Sequence, residues 1–219
     1  MSEPKELAQL YPQSCPFCSI AAAYPHQESS TTPTHQHQNQ NQNQQQPLLQ
    51  QHIPSPSSID PSRVSPAAYV VLSAPRVLAF LDIMPMTRGH LLVTTRRHRR
   101  KVEDLVGGRA GFWLPLLAKT VAAVTGVSDY NIVQNNGARA AQVVPHVHFH
   151  IIPRPESLPA LQNKSWTMFG RGQREELDDD DAAALAARMR DVLGAEVARV
   201  VWRRERRMRR RRRRGAGKL

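Results

Sequence analysis

Three histidines, His146, His148 and His150, alternate with apolar residues near the middle of the chain. Successive side chains on a β-strand point to opposite faces, so a strand here would align the three imidazoles on one face. The apolar residues between them would then face a packed core. The ordinary pKa of histidine, about 6.5, lies close to neutrality. Such a row therefore suits nucleophilic or proton-transfer chemistry on an open face.

The motif alone leaves three interpretations open. The first is the polar outer face of a half-buried strand, which the clean apolar counter-face disfavours. The second is a three-histidine zinc site of the kind found in metal hydrolases. The third is nucleophilic attack by a histidine on a phosphoryl group. The segments around the motif have to separate the last two.

The elements that would position these histidines follow from the pattern of apolar residues. Short runs predict strands at 69–72, 77–81, 89–94, 130–134 and 147–152. Helical spacing predicts helices at 102–106, 110–125 and 178–193. We therefore expect an α+β fold, with a mainly antiparallel five-stranded sheet and helices packed on it.

The composition divides the chain of 219 residues into five parts. Residues 26–65 are rich in Gln, Asn, Pro and Ser and bury too little apolar surface to offset their ordering entropy, which predicts a disordered insertion. Residues 1–25 form an N-terminal segment and residues 66–156 a domain core. Residues 157–200 follow as a loop and helix, and residues 201–219 as an Arg-rich tail that we expect to be disordered.

The charge of the chain is concentrated at one end. The formal net charge is +12, but residues 203–219 carry +10 of it, so the remainder is an ordinary weakly charged domain. Ten arginines lie between Arg203 and Arg214. Such a run could contact nucleic acid or an anionic membrane, or act as a nuclear address. It could equally be a solvated tail without a role, because it lacks interleaved aromatic residues for stacking bases.

The cellular location is constrained by what the sequence contains. No apolar run reaches the 18–20 residues or so of a membrane span, and the first residues lack the basic-then-apolar layout of a secretory signal. The two cysteines, Cys15 and Cys18, have a Cys-x-x-Cys spacing that favours metal ligands or redox thiols in a reducing compartment. We expect a cytoplasmic or nuclear protein, or one found in both places.

Several segments together resemble a known family. The histidine row fits the pattern His-φ-His-φ-His-φ-φ, where φ is apolar. Residues 79–85, 89–93 and 130–137, with His98, occur in a matching order and spacing. The chain thus resembles the nucleotide-binding branch of the histidine triad (HIT) family, and in particular its fungal adenosine 5′-monophosphoramidases. The resemblance covers residues 13–25 and about 66–156 and implies a HIT-like fold.

The resemblance implies a hydrolase that cleaves purine nucleoside 5′-phosphoramidates. His148 would attack the α-phosphate, form a covalent nucleotidyl-histidine and release the amine, and water would then release AMP or GMP. His146, His150 and His90 would complete the catalytic set, with His150 and His90 contacting phosphate oxygens. The alternatives are a dinucleoside polyphosphate hydrolase of the same family and a non-catalytic protein that binds nucleotide or nucleic acid.

The resemblance also implies the residues that would bind the purine nucleotide. A carboxylate, Asp82, would hold the ribose hydroxyls, and three apolar residues would surround the base. Amide side chains would reach the phosphate or the ribose, alongside the histidines. The full set is Phe17, Ile20, Phe80, Asp82, Asn135, Gln142, His148 and His150.

Two further properties follow from the resemblance. Cys15, Cys18, His98 and His146 match the four ligands of a structural zinc, and no organic cofactor is implied. Relatives are homodimers that pair through the helix corresponding to 110–125 and a neighbouring strand, and Phe112 and Trp113 would suit that surface. This chain departs from its relatives at Val143, where a polar residue near the leaving group is common and valine has no proton to donate.

Overall fold

The computed structural model describes residues 15–26, 49–105, 110–156, 174 and 176–215, with side chains through residue 207 except at position 205. Within these ranges the chain forms an α+β domain, which confirms the expected fold class. The helices are α1 (Pro16–Ala23), α2 (Ala110–Thr125) and α3 (Asp179–Gly215). The strands are β1 (Val70–Ser73), β2 (Val77–Leu81), β3 (Leu91–Thr95), β4 (Tyr130–Val133) and β5 (His148–Pro153).

The five strands form one sheet in the order β1-β2-β3-β5-β4, and every neighbouring pair is antiparallel. β5 is therefore a central strand, between β3 and β4. Its register places His150 opposite Leu92, and Leu92 lies opposite Phe80 on β2. Because paired residues share a face, His150 faces the same side of the sheet as Phe80.

Each face of the sheet packs against different helices. The larger apolar cluster joins one face to α2 and α3 and includes Ile151, with Phe149 packed at its edge. The smaller cluster joins the opposite face to α1 through Phe17, Leu78 and Phe80. The alternation of β5 thus sends its apolar residues into the larger cluster and its histidines toward α1, as the sequence predicted.

The start of β5 differs from the predicted one. The strand begins at His148, and His146 lies just before it. The backbone N–H of His146 donates to Val144 O across Pro145, at 2.8 Å. This local bond turns the chain, so the first of the three histidines leaves the row and faces a different environment.

Part of the segment expected to be disordered is ordered. Residues 49–65 contain 3₁₀ turns at Gln50–His52, Pro56–Ser58 and Pro61–Arg63. Ile53 packs against the larger cluster, and Ile59 and Val64 pack against the smaller one. These few apolar side chains anchor the segment. The average composition of residues 26–65 is polar, so it did not reveal them. Residues 27–48, which hold the Gln/Asn tract, lie outside the described residues.

Helix α3 runs from Asp179 to Gly215 and so includes residues 201–215, which were expected to belong to a disordered tail. The apolar stripe predicted to end at 193 continues through Val197 and Val200, and arginine is a good helix former. Residues 157–173 and 216–219 lie outside the described residues. Among the helices that the structure describes, none has the length and apolarity needed to cross a membrane.

His52 predicts an acid-sensitive contribution to stability. Its ring meets Trp113 edge-on with centroids 5.9 Å apart, and burial, followed by the charge of His26, lowers the pKa of His52 to about 4. The unfolded chain then binds more protons between pH 4 and the ordinary value of about 6.5, so stability falls as pH drops through that window. After allowance for solvent screening, we expect the free energy of unfolding to be roughly 1 kcal/mol lower at pH 5 than at pH 7.

The measurement is urea unfolding at pH 7 and pH 5 of the wild-type protein and of His52→Phe. Phenylalanine keeps a ring beside Trp113 and removes the titrating nitrogens. The variant should lose less stability between the two pH values than the wild-type protein. An equal loss in both proteins would contradict the assignment.

Candidate active site

A cavity of about 550 Å³ opens between α1 and the sheet face that carries His148 and His150. Its volume lies within the range of small-molecule sites, about 300–1,000 Å³. Phe17 on α1 forms one wall, with its ring centroid 5.5 Å from that of Phe80 and 5.1 Å from that of His148. Seven of the eight predicted nucleotide-binding residues line this cavity, namely Phe17, Ile20, Phe80, Asp82, Asn135, His148 and His150.

His148 is held in one tautomer. Its Nδ1 lies 2.6 Å from the backbone carbonyl oxygen of His146, to which it donates its proton. Nε2 is therefore the nitrogen with a free lone pair. Burial lowers the pKa of His148, which the bond to the carbonyl partly opposes. The imidazole is thus neutral near pH 7, the form that a nucleophile needs.

The tautomer of His150 is fixed through His90. The backbone N–H of Met86 donates to His90 Nδ1 at 3.2 Å, so His90 carries its proton on Nε2. That proton is donated to His150 Nδ1 at 3.0 Å, which leaves His150 with its own proton on Nε2. Burial, with a smaller effect of the His148 charge, lowers the pKa of His150 to about 3. His150 is therefore a neutral donor that can stabilise charge on a phosphate oxygen.

Gly89 allows the chain to bring His90 to this position. Its φ is +89°, and a Cβ there would lie 2.4 Å from Thr125 Cγ2 at the end of α2. Only glycine fits both the backbone angle and the close approach. His90 itself is buried behind His150 and does not line the cavity, so it acts on a ligand through its neighbour.

Asp82 and Arg174 contribute an acidic and a basic group to the cavity wall. Asp82 Oδ1 accepts from the Met84 N–H at 2.9 Å, and Oδ2 lies 3.9 Å from Arg174 Nη1. Asp82 Oδ2 is also 3.3 Å from His90 Nδ1, but burial holds the pKa of His90 well below its ordinary value, so the two do not form an ion pair. Arg174 was not among the predicted site residues, because it lies outside every motif.

Gln142 is placed differently from the expectation. It does not line the cavity, and its buried amide is bonded to the backbone of Gly137 and of Arg100. Its Oε1 accepts from the Gly137 N–H at 2.6 Å, and its Nε2 donates to Arg100 O at 2.8 Å. A contact between Gln142 and a phosphate stays a prediction that would need these bonds to change. Val143 lies at the cavity rim and is 78% exposed.

Two cysteines at the N-terminal end of α1 meet two histidines that are distant in sequence. The ligand atoms of Cys15, Cys18, His98 and His146 all lie within 4.8 Å of one another. The Cys15 Sγ–His146 Nδ1 distance is 3.3 Å, and the Cys18 Sγ–His98 Nδ1 distance is 3.4 Å. Zn–S and Zn–N bonds of about 2.3 and 2.05 Å at a tetrahedral angle separate S and N by about 3.6 Å. The cluster therefore has nearly the dimensions of a zinc site.

The chemistry of these donors also fits zinc. His146 Nε2 donates to the Thr95 carbonyl oxygen at 2.7 Å, which leaves the Nδ1 lone pair directed at the cluster. Burial, then the hydrogen bond and charge of Cys15, raise the pKa of Cys18 to about 11. Two adjacent thiolates would be unfavourable here without a cation, and a bound metal ion would supply the compensating charge.

The predicted dimer surface requires one correction. Phe112 is exposed, but Trp113 is buried in the larger cluster and cannot serve as a surface residue. Consecutive residues on a helix point about 100° apart, so the pair could not share one face. β4 is an edge strand, and its Tyr130 and Ile132 are also exposed.

The chain is similar to known proteins over this region. A model of the HIT domain matches residues 64–157. Adenosine 5′-monophosphoramidase hnt1 of Schizosaccharomyces pombe is 49% identical over 78 residues, which are 36% of this chain and 58% of that protein. An uncharacterized HIT-like protein of Methanocaldococcus jannaschii is 44% identical over 91 residues, which are 41% of this chain and 70% of that protein.

Among solved structures, a hypothetical histidine triad nucleotide-binding protein of Sulfolobus tokodaii is 24% identical, with a TM-score of 0.49. The match covers 57% of this chain and 83% of that one. The present chain thus spans less than two thirds of the fission-yeast relative and more than two thirds of the two archaeal proteins.

Proposed function

Because this chain belongs to the HIT domain family, we propose that it is a hydrolase that cleaves the P–N bond of purine nucleoside 5′-phosphoramidates, releasing AMP or GMP and an amine. The observation that carries the proposal is His148, a neutral imidazole with a fixed tautomer in the wall of a nucleotide-sized cavity. The name of the fission-yeast relative, adenosine 5′-monophosphoramidase, supports this substrate class.

The mechanism proceeds in two displacements. His148 Nε2 forms a bond to the α-phosphorus, the P–N bond to the amine breaks, and the amine leaves with a proton taken from solvent, which the attacking water of the second step returns. Water then attacks the same phosphorus and releases the nucleoside monophosphate and the free imidazole. The Nε2–H of His150 stabilises negative charge on the non-bridging oxygens in both steps. His90 positions His150 by occupying its other nitrogen.

Substrate binding uses other residues of the same cavity. Phe17, Ile20 and Phe80 surround the base, and aromatic stacking together with apolar burial favours a purine. Asp82 lies where it can accept hydrogen bonds from a ribose diol. Val143 offers no proton to the leaving group, so substrates with easily expelled amines should be turned over fastest.

We also propose a structural zinc held by Cys15, Cys18, His98 and His146. When bound, it would cross-link α1 to the segments that flank β3 and β5 and supply no group to the reaction. A homodimer is a further proposal, supported by the exposed Phe112 on α2 and the exposed Tyr130 and Ile132 on the edge strand β4.

The proposed activity predicts a specific product pattern. Incubation with adenosine 5′-monophosphoramidate should release AMP and ammonia in equal amounts, with turnover well above the uncatalysed rate. Rapid denaturation at alkaline pH, which preserves a bond between phosphorus and an imidazole nitrogen, followed by intact-protein mass spectrometry should detect an adenylyl adduct that maps to the peptide containing His148. A diadenosine polyphosphate in the same assay serves as the comparison. Preference for that substrate, or an adduct on another residue, would contradict the proposal.

A further inference from the structure

The arginine run forms part of a continuous helix. The first half of α3 packs on the sheet through residues at helical spacing, including Leu185, Met189, Leu193 and Val197. The apolar stripe ends at Val200, and Trp202 is already 57% exposed. The helix continues from residue 203 to residue 215, over about 20 Å at 1.5 Å per residue. The core half of α3 therefore anchors a basic helical extension.

The described part of this extension is not neutralised within the protein. Arg203, Arg204, Arg206 and Arg207 are exposed. Among side chains that the structure describes, no carboxylate forms an ion pair with any of these four, and Arg206 lies over the Trp202 ring at 5.2 Å. Like charges three and four residues apart on a helix repel one another. A polyanionic partner would remove that repulsion.

The charge density of the extension is close to that of duplex DNA. Residues 203–214 hold ten arginines and one glutamate, which is one net positive charge per roughly 2 Å of helix. Duplex DNA carries one negative charge per about 1.7 Å of its axis. The two densities match closely enough for most phosphates along the contact to be paired.

The distribution of arginines around the helix selects the kind of partner. At about 100° per residue, the ten arginines leave no gap wider than roughly 80° around the circumference. A helix that lies on a membrane needs an apolar face, and residues 203–214 offer only Met208. A ring of positive charge suits a groove with phosphates on both walls. The major groove of B-DNA, about 12 Å wide, admits an α-helix, whereas that of A-form RNA is too narrow.

We propose that residues 203–214 of α3 bind double-stranded DNA without sequence preference, as a helix in the major groove. The interaction is independent of the proposed hydrolase activity, because none of the four arginines of the run whose side chains the structure describes lines the cavity. It would hold the catalytic domain on DNA through phosphate contacts while the cavity stays open to small substrates.

The test uses the full-length protein and a fluorescent 30-base-pair DNA of arbitrary sequence, with anisotropy measured over a range of salt concentrations. A matched pair of variants changes Arg209 through Arg214 together, to glutamine in one and to lysine in the other. Glutamine keeps helix propensity and removes charge, and lysine keeps the charge. The other arms are a duplex RNA of equal length and vesicles of phosphatidylserine and phosphatidylcholine.

For the wild-type protein, a plot of the logarithm of the association constant against the logarithm of the salt concentration should have a slope near −5. This slope corresponds to about six neutralised phosphates. The glutamine variant should bind at least 100-fold more weakly near 0.1 M salt, and the lysine variant should stay within tenfold of wild type. Phosphoramidate turnover should be unchanged in both. Equal binding by the glutamine variant, or tighter binding to the RNA duplex or the vesicles than to DNA, would overturn the proposal.

Discussion

Replacement of His148 by alanine is expected to lower turnover of adenosine 5′-monophosphoramidate by about 10⁴-fold or more. The variant loses the nitrogen that bonds to phosphorus, and removal of a covalent nucleophile has effects of this size in other hydrolases. The adenylyl adduct should disappear together with turnover. Because alanine leaves the cavity walls in place, nucleotide binding should change much less than the rate.

His26→Ala provides a matched control. His26 is also a histidine that binds a backbone carbonyl, with Nδ1 at 3.3 Å from Ser73 O, but it lies outside the cavity. This variant should retain turnover within a few-fold of wild type. Thermal unfolding of both variants establishes that they are folded. A folded His148→Ala protein with near wild-type turnover would exclude His148 as the nucleophile.

Removal of the proposed zinc should have the second largest effect, on stability and on substrate affinity together. The double variant Cys15→Ser, Cys18→Ser should purify without zinc, whereas the wild-type protein should hold about one zinc per chain. We expect the free energy of unfolding of the variant to be lower by about 3 kcal/mol or more, which lowers Tm by roughly 6–12 °C for a domain of this size. KM should rise, because Phe17 and Ile20 are carried by the helix that the cysteines hold in place.

Ala22→Ser is the control for this experiment. Ala22 is an exposed residue of the same helix and does not line the cavity, so its variant should keep the zinc, the Tm and KM of the wild-type protein. Metal analysis and thermal unfolding are measured on each protein before and after chelator. A wild-type protein that contains no zinc and whose Tm is unchanged by chelator would contradict the assignment.

The sequence was most informative where local pattern decides structure. The alternation around His148 correctly predicted which face of β5 carries the imidazoles, because strand geometry alone determines that outcome. The five strands were found because each is a short apolar run bounded by turn residues. The residues proposed to surround the base came from the resemblance, since composition alone favoured ordinary core roles for Phe80 and Ile20.

Other features depended on packing that the sequence does not display. Nothing local reveals that Gln142 turns inward to Gly137 and Arg100, or that Arg174 reaches the cavity from beyond residue 156. The helix through Arg203–Arg214 was missed because composition alone suggested disorder, although the apolar stripe of its first half supplies the anchor. Trp113 was predicted to lie at the surface, but it is buried in the larger cluster. The sequence of α2 alone does not show which of its faces packs against the sheet and α3.

Helix α1 has only eight residues, yet it belongs to both sites. Cys15 and Cys18 flank Phe17, so one short segment presents thiols to the proposed zinc ligands and an aromatic wall to the cavity proposed to bind nucleotide. Equilibrium linkage is reciprocal: if metal strengthens nucleotide binding by some factor, nucleotide must strengthen metal binding by the same factor. Under that linkage, a low substrate concentration would also lower the affinity of the protein for the metal. A saturating substrate concentration would slow removal of the metal by a chelator.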